Sequence, residues 1–410
     1  MSRKKILLIH HSGLLGGAGI SLYNTWRTLE KKYEVVCYIP NDPPDLLNFL
    51  REKGLNPHTF SFRLGKLTYY SGGNNLLKPR FWYHALHSLT QIKYWELVLR
   101  NVNPDFVLVN SKVLCWMGKL FKKRKIKSLC FVRETIPGSP KKLMNKFMKN
   151  MLDEFTAVAF LSEYDLFQTG LIKAQTVVSP DFLELKEYKA KNDRDVACAN
   201  LNINPQNFNV LFVGGTDKLK GIDIALKAMN ILKKQEISLI VAGKDFSDIE
   251  GEGIKRIVSK IKNRKIIKFS EENKQYILQK GIQSKVKFIG IQKDMSDSFS
   301  ACDILIFPMT KPHQARPAFE IGVQRKPVII SDFPNISEFV NHEVNGLIFE
   351  PNNPESLAKA IIRLKDDKEM LRRLGDLNYE YTIKYHTEEY AMGKLIDKID
   401  EIILGGQSNV

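Results

Sequence analysis

The chain has 410 residues, 43% of them hydrophobic, and this length predicts two domains rather than one core. No window approaches the roughly 20 apolar residues that a membrane-spanning helix needs. The charged start at Ser2 to Lys5 precedes only four apolar residues, which predicts a first strand and not a signal peptide. The five cysteines are scattered without a CxxC pair, which predicts buried free thiols and no metal site.

The net charge of +17 is unevenly distributed. Residues 1–180 hold 27 Lys and Arg against 12 Asp and Glu, whereas residues 181–410 hold 35 against 33. A basic half beside a near-neutral half predicts that one domain meets an anionic surface. Nucleic acid is disfavoured as that partner because no recognised binding module accompanies the basic runs.

Strands and helices alternate along residues 1–180, which predicts a parallel sheet with right-handed crossovers. The polar stretch 181–207 is predicted to be a linker, after which the alternation restarts over 208–385 and a last helix, 386–410, is long enough to cross back to the first domain. The predicted strands lie at Lys5–His11, Tyr33–Ile39, His58–Phe62, Asp105–Asn110, Ser128–Arg133, Ala157–Ser162, Asn209–Val213, Ser238–Ala242, Val286–Ile289, Ile304–Pro308, Val328–Ser331 and Gly346–Phe349. A basic helical excursion is predicted over 255–279.

A glycine-rich turn, Gly13 to Gly19, follows the first predicted strand. Glycines allow close approach of a ligand, and the next helix presents free N–H groups to a phosphate or carboxylate. The pattern is not GxGxxG and no acidic residue closes the second strand, so a nicotinamide dehydrogenase is disfavoured. A tight turn without a ligand is the alternative, and His10 or His11 is either a base or a packing residue.

A second glycine turn, Gly214-Gly215, leads to Lys220, which is predicted to begin a helix. An ammonium and a helix N-terminus at one place suit a diphosphate leaving group. The alternative is a solvated lysine. Farther on, Glu320 is predicted just inside a helix that follows a strand, where α/β proteins bind ligands. Its carboxylate suits a ribose, because it can accept hydrogen bonds from two neighbouring hydroxyls.

Taken together, these features resemble the retaining, nucleotide-sugar-dependent glycosyltransferases of the two-Rossmann (GT-B) architecture, of the group 1 (family 4) type. The likeness is strong over about 208–365 and weaker over 1–180. The segments that carry it are Gly16-Gly17-Ala18, Val213-Gly214, Lys220-Gly221, Phe288-Ile289-Gly290, Asp303 to Pro308, Glu320, Pro327-Val328-Ile329, Glu338 and Asn345-Gly346-Leu347.

The resemblance implies metal-independent transfer from a UDP- or GDP-sugar, held between two α/β domains, with no other cofactor. By resemblance, Glu320 binds the ribose, Lys220 binds the diphosphate with the Gly214-Gly215 turn, and Gly16 and Gly17 lie close to the donor phosphates. The implied acceptor is lipid-linked or an oligosaccharide, in surface-polysaccharide assembly on the cytoplasmic face of a membrane.

Three positions depart from the family pattern. Pro312, beside His313, stands where a second glutamate is usual, and Gly215 stands where an arginine usually partners the lysine. Arg133-Glu134 stands where a histidine is common, and we expect this pair either to contact acceptor or donor or to form a structural ion pair. Arg316 either supplies the missing positive charge or pairs with a local carboxylate.

The basic half contains an apolar helical face, a set of aromatic residues and clusters of basic residues that suit a membrane surface or an acceptor. Residues 143–151 place Leu143, Met144, Phe147, Met148 and Met151 on one helical face flanked by lysines, which suits either an anionic bilayer or an ordinary core-facing helix. Aromatic residues that either line an acceptor cleft or pack in the core are Tyr69, Tyr70, Phe81, Trp82 and Tyr83. The basic residues are Lys119, Lys122, Lys123, Arg124, Lys125, Lys127, Lys141, Lys142, Lys146 and Lys149.

The resemblance therefore implies a glycosyltransferase of the hexosyltransferase type. A catalytically silent relative that binds acceptor or partner is the alternative, because the usual glutamate and arginine are absent. A nucleotide-sugar epimerase on the same fold is a third possibility.

Overall fold

A computed structural model describes residues 3–62, 64, 77–135, 143–170, 172–246 and 264–405. The chain divides into two compact units, Met1–Leu183 with Tyr385–Val410, and Glu184–Lys384. Each is built on a sheet in which every strand pairing is parallel, with helices between the strands. The predicted fold class, two Rossmann-like α/β domains, is confirmed.

The first unit contains a seven-stranded sheet in the order β3-β2-β1-β4-β5-β6-β7. Its strands are β1 (Lys5–Ile9), β2 (Glu34–Pro40), β3 (His58–Phe60), β4 (Phe106–Val109), β5 (Lys127–Val132), β6 (Ala157–Phe160) and β7 (Gln175–Val178). Its helices are α1 (Gly17–Leu29), α2 (Asp45–Glu52), α3 (Pro79–Thr90), α4 (Ile92–Val102), α5 (Gly118–Lys123), α6 (Leu143–Leu152) and α7 (Glu163–Thr169), with a 3-10 turn at Lys112–Met117.

The central strands of this sheet are apolar on both faces because helices cover both. Leu8 and Phe106 pack in one core and Leu7 and Val107 in the other. The last helix of the chain (Glu388–Leu404) contributes Leu395 and Ile399 to the first of these cores and contacts α1 and β7. It therefore completes the first unit although it follows the second in sequence.

The second unit contains a six-stranded sheet in the order β10-β9-β8-β11-β12-β13. Its strands are β8 (Phe208–Val213), β9 (Ile237–Ala242), β10 (Val286–Gly290), β11 (Ile304–Phe307), β12 (Val328–Ser331) and β13 (Gly346–Phe349). Its helices are α8 (Leu185–Tyr188), α9 (Arg194–Leu201), α10 (Ile222–Ile231), α11 (Arg264–Lys280), α12 (Ser296–Ala301), α13 (Arg316–Gly322), α14 (Pro354–Asp366) and α15 (Lys368–Tyr385), and the last helix, Glu388–Leu404, is α16. Short 3-10 turns lie at Lys218–Lys220, Gln283–Lys285 and Ile336–Glu338.

The stretch that composition marked as a linker, 181–207, differs from that prediction. From Glu184 onward it belongs to the second unit. Helix α9 begins at an Asp193 cap and packs on α12, and Arg194 pairs with Asp303 at 2.9 Å. The segment is polar because much of it lies on the surface, yet Ala197 and Cys198 are buried.

All five cysteines are buried and unbridged, as predicted. Within the part of the chain that the structure describes, none of the helices has both the length and the apolar character that crossing a bilayer requires. Of the predicted helical excursion 255–279, residues 255–263 lie outside the described ranges, and 264–279 lie in α11.

Candidate active site

The strand order of the second sheet reverses between β8 and β11, which are neighbours although β9 and β10 separate them in sequence. In open parallel sheets, ligands bind beyond the carboxyl ends of the strands at such a reversal. Gly214-Gly215 follows β8 and Pro308 follows β11, so both segments lie at this point.

Lys220 lies at this reversal, but it does not begin a helix as predicted. It ends the 3-10 turn Lys218–Lys220, and α10 begins two residues later after Gly221 at φ 82°. The turn is held to the end of β11, because Thr310 N donates to Leu219 O at 3.1 Å. A Cβ on Gly221 would lie 1.8 Å from Pro308 O, so only glycine allows this approach.

The Lys220 side chain is largely withdrawn from water. Its Nζ lies 4.7 Å from the centre of the Phe307 ring. Burial lowers the pKa of Lys220 to about 8, while the charges of Asp217 and Glu320 act in the opposite direction. The ammonium is therefore a poorly hydrated cation, which an incoming anion would stabilise.

Glu320 lies on α13, which follows β11, as predicted. Arg316, one turn earlier, donates from Nε to Glu320 Oε1 at 2.7 Å. Both side chains are only 13% exposed. Of the two expectations for Arg316, the structure thus shows pairing with a local carboxylate, and that carboxylate is the predicted ribose ligand.

Tyr188, which no sequence pattern indicated, also contacts Glu320. Its hydroxyl donates to Glu320 Oε1 at 3.3 Å and accepts from Arg316 Nη2 at 3.3 Å. It belongs to the stretch predicted as a linker, so its composition gave no signal. The spacing of Arg316 and Glu320, four residues apart on one helical face, was the available indication of a local cluster.

His313 follows Pro312, the position that differs from the family pattern. The charge of Lys220 acts on the imidazole of His313. Burial and, second, Lys220 lower the pKa of His313 to about 3. The imidazole is therefore neutral at physiological pH. The residue before it, Pro312, is the position at which the family usually has a carboxylate. Its backbone carbonyl accepts a hydrogen bond from Asn335 Nδ2 at 2.8 Å.

Gly215 leaves no space for the arginine that is usual at its position. Its φ is 56°, and a Cβ would lie 2.5 Å from the backbone N and O of Lys244. The close approach of the backbone after β8 to the backbone after β9 therefore excludes any side chain at Gly215. Lys244 follows β9 at this same edge of the sheet.

In the first unit, Gly16 and Gly17 lie at the start of α1 and are exposed. Gly16 is the N-cap residue, no side chain caps the helix, and its first turn holds no acidic residue. A Cβ on either glycine would meet nothing within 4 Å. The backbone N–H groups in the first turn of α1 thus lie at an exposed helix N-terminus, which suits the binding of an anion.

Arg133, after β5, is held by a network within the first unit. Its guanidinium donates to Asp181 at 2.8 Å, to Thr25 Oγ1 at 2.7 Å and to Asn110 Oδ1, and it stacks on the Phe131 ring. Its side chain is only 6% exposed. This arrangement corresponds to the structural ion pair that we kept as the alternative to ligand contact.

Glu134 is bound differently from Arg133. It accepts hydrogen bonds from Ser111 Oγ and from Lys112 N, while Lys112 Nζ donates to the carbonyls of Glu134 and Thr135. Burial lowers the pKa of Lys112. These groups follow β4 and β5, beside the point where the first sheet reverses between β1 and β4. The two predicted residues of this unit are therefore neighbours in sequence with separate sets of partners.

The predicted membrane face on α6 is instead a core face. Met148 is buried, and Met144, Phe147 and Met151 pack against the core. Leu143 is exposed. Lys141 and Lys142 lie outside the described residues, as do Tyr69 and Tyr70. The apolar stripe therefore serves packing, which was the alternative interpretation.

Residues 193–381 match the family model of Glycosyl transferases group 1. The matched segment, which lies within the second unit, is therefore a glycosyl transferases group 1 domain. It is 23% identical over 375 residues to the uncharacterized glycosyltransferase MJ1178 of Methanocaldococcus jannaschii, with 91% of this chain and 87% of the relative covered. It is 26% identical over 165 residues to MJ1607 of the same organism, where the match spans only 36% of the relative and 38% of this chain.

The fold is that of solved GT-B proteins. Anabaena Alr3699/HepE, crystallised in complex with UDP, superimposes with a TM-score of 0.73 at 18% identity, covering 96% of this chain and 99% of that protein. The matched family segment contains Lys220, Arg316 and Glu320. The second unit thus carries a glycosyl transferases group 1 domain, and the residues at the reversal of its sheet are candidates for a donor site.

Proposed function

We propose that this glycosyltransferase moves a hexose, with retention of configuration, from a nucleotide diphosphate sugar to a lipid-linked or oligosaccharide acceptor. The observation that carries the proposal is the placement of Lys220 and Glu320 together at the strand-order reversal of the second unit. One cation and one carboxylate at that edge match the diphosphate and the ribose of such a donor.

The chemical role of Lys220 follows from its surroundings. When the bond between the sugar and the diphosphate breaks, negative charge grows on the departing phosphate oxygen. A buried ammonium stabilises that charge more strongly than one in water would. We therefore propose Lys220 and backbone N–H groups as the charge-compensating elements, without a metal ion. Arg316 is engaged with Glu320, so we assign it to the ribose end.

The nucleotide is proposed to be a UDP- or GDP-sugar. Solved complexes of Alr3699/HepE contain UDP and UDP-glucose, which supports a uridine donor by analogy of fold. The resemblance favours surface-polysaccharide assembly on the cytoplasmic face of a membrane. We assign acceptor contact to the first unit, with Glu134 as a candidate, since Arg133 is committed to Asp181.

A membrane-facing surface is proposed on α3 rather than α6. Trp82, Leu86 and Leu89 fall on one face of α3, and each is more than half exposed. Lys78 and Arg80 lie at the N-terminal end of the same helix. An apolar face with flanking cations suits an interface with anionic lipid, to which each nearby cation adds about 1 kcal/mol.

The silent relative remains the competing function, favoured by Pro312 and by the lack of space for an arginine at Gly215. The deciding experiment incubates the protein with UDP- and GDP-hexoses and a bacterial lipid extract in EDTA, and measures release of nucleoside diphosphate. We expect acceptor-dependent release that Lys220→Ala abolishes and that Lys227→Ala, an exposed lysine on α10, leaves unchanged.

Absence of release with every donor, despite nucleotide binding, would favour the silent relative. Conversion of the nucleotide sugar without any acceptor would favour an epimerase. Release that requires a divalent cation would contradict the metal-free assignment.

A further inference from the structure

We propose that Tyr188 is a positioning residue of the donor site, which together with Arg316 fixes Glu320 so that one carboxylate oxygen is presented to the ribose. This inference rests on the proposed role of Glu320. It assigns a function to a residue from the short helix α8, outside the sheet that carries the rest of the site.

The two oxygens of the Glu320 carboxylate are in different environments. Oε1 accepts hydrogen bonds from Arg316 Nε and from the Tyr188 hydroxyl. Oε2 accepts none from any residue that the structure describes. A carboxylate oxygen has two lone pairs, so Oε1 is saturated and Oε2 keeps its full capacity to accept ribose hydroxyls.

Tyr188, Arg316 and Glu320 are joined pairwise by three hydrogen bonds, which form a closed ring. Its hydroxyl donates to Glu320 and accepts from Arg316 Nη2, each at 3.3 Å, while Arg316 also bonds Glu320 directly. Burial, followed by the charge of Glu320, raises the pKa of Tyr188. The hydroxyl therefore keeps its proton throughout the physiological range and remains a donor to the carboxylate.

The backbone of Tyr188 is fixed as firmly as its hydroxyl. Gln324 Nε2 donates to Tyr188 O and to Ser296 O, both at 3.1 Å, and Gln324 Oε1 accepts from Ser300 Oγ. The Tyr188 ring stacks on Phe299, with ring centres 6.4 Å apart. The tyrosine is thus held by α12, by α13 and by Gln324, which follows the end of α13.

A fixed carboxylate affects recognition because a glutamate side chain otherwise loses considerable rotamer freedom on binding. Restricting it beforehand removes part of that cost. Burial lowers the pKa of Lys220 and the charge of Glu320 partly opposes this effect, so the two groups interact and a loose carboxylate would be drawn toward the ammonium. The ring with Arg316 and Tyr188 keeps Glu320 from neutralising the cation that the diphosphate needs.

The test uses Tyr188→Phe, which removes the hydroxyl and keeps the ring on Phe299. Titration calorimetry compares UDP, GDP, ADP and CDP with their 2′-deoxy and 3′-deoxy counterparts. We expect Tyr188→Phe to weaken binding of the ribonucleotide by about three- to tenfold, with a smaller effect on at least one deoxy counterpart. The preference for ribose then shrinks. In a Glu320→Ala background, Tyr188→Phe should change nothing further.

Tyr276→Phe is the matched control, because Tyr276 is a partly buried tyrosine on α11, elsewhere in the same unit. A Tyr188→Phe protein that keeps the wild-type preference for ribose would overturn the proposal, as would an equal loss in the Glu320→Ala background. If wild type binds no nucleotide, the proposed function itself fails. If Glu320→Ala loses the ribose preference and Tyr188→Phe keeps it, only this inference fails.

Discussion

Gly214 and the stem of Lys220 are in direct contact. A Cβ on Gly214 would lie 2.8 Å from both Cβ and Cγ of Lys220, which is closer than such atoms approach. The glycine after β8 therefore provides the space in which the lysine folds back toward the strand ends. The position of Lys220, the proposed partner of the diphosphate, therefore depends on the absence of a Cβ at residue 214.

Gly214→Ala is expected to displace Lys220 and weaken binding of a nucleoside diphosphate about tenfold, the loss of roughly one charge-assisted hydrogen bond. Calorimetric titration measures this effect. Gly393→Ala is the matched control, since its added Cβ meets nothing within 4 Å. Equal affinities for the two variants would show that the packing of Gly214 on Lys220 has no role in binding.

The affinity for a nucleotide sugar should fall as the pH rises past about 8. Lys220 has a lowered pKa near that value, so its ammonium is present below it and is lost above it. The donor diphosphate binds the charged form, hence affinity is highest on the acid side. Titrations from about pH 7 to about pH 9 test this, with Lys220→Arg as the control because arginine stays charged. A wild-type profile that is flat across this interval would contradict the assignment.

Arg133→Met should destabilise the protein by about 3–5 kcal/mol, because it leaves the carboxylate of Asp181 without its buried partner. Urea unfolding of wild type and variant measures the difference. Arg27→Met, which removes an exposed pair with Glu30, should cost at most about 1 kcal/mol. If both variants unfold alike, Arg133 is not structural and its proposed role in ligand contact regains support.

Membrane association should depend on α3. The triple change Trp82→Ser, Leu86→Ser and Leu89→Ser is expected to abolish sedimentation with liposomes that contain anionic lipid, because each position exposes an apolar side chain. Lys146→Glu with Lys149→Glu on α6 should reduce it only modestly. Val196→Ser, an exposed apolar residue of the second unit, is the control. Retained binding by the triple variant would place the surface elsewhere.

The fold was predictable because buried parallel strands are continuous apolar runs, which are visible in sequence without knowledge of partners. All predicted strands are present. The strand that was missed, β7, reads Gln175 to Val178 and is only partly buried, so its pattern resembles a loop. Helix α9 was missed because its surface is polar.

The site was predictable only in part, because some of its residues bind partners that are far away in the sequence. The glycine turns and Glu320 lie in short local patterns. The partner of Arg133 is 48 residues away, and Tyr188 reaches Glu320 across 132 residues. The stripe on α6 has the same periodicity whether it faces lipid or core, so only the packing of Phe147 and Met148 distinguishes the two.

The most direct test of the account is a metal-free titration of wild type and Glu320→Ala with UDP, GDP, ADP and CDP, followed by thermal unfolding. A ligand at 100 times its dissociation constant should stabilise wild type by about 2.7 kcal/mol. We expect that nucleotides of one or two bases bind wild type and that Glu320→Ala removes this selective stabilisation. A wild-type protein that none of the four nucleotides stabilises would contradict the donor site.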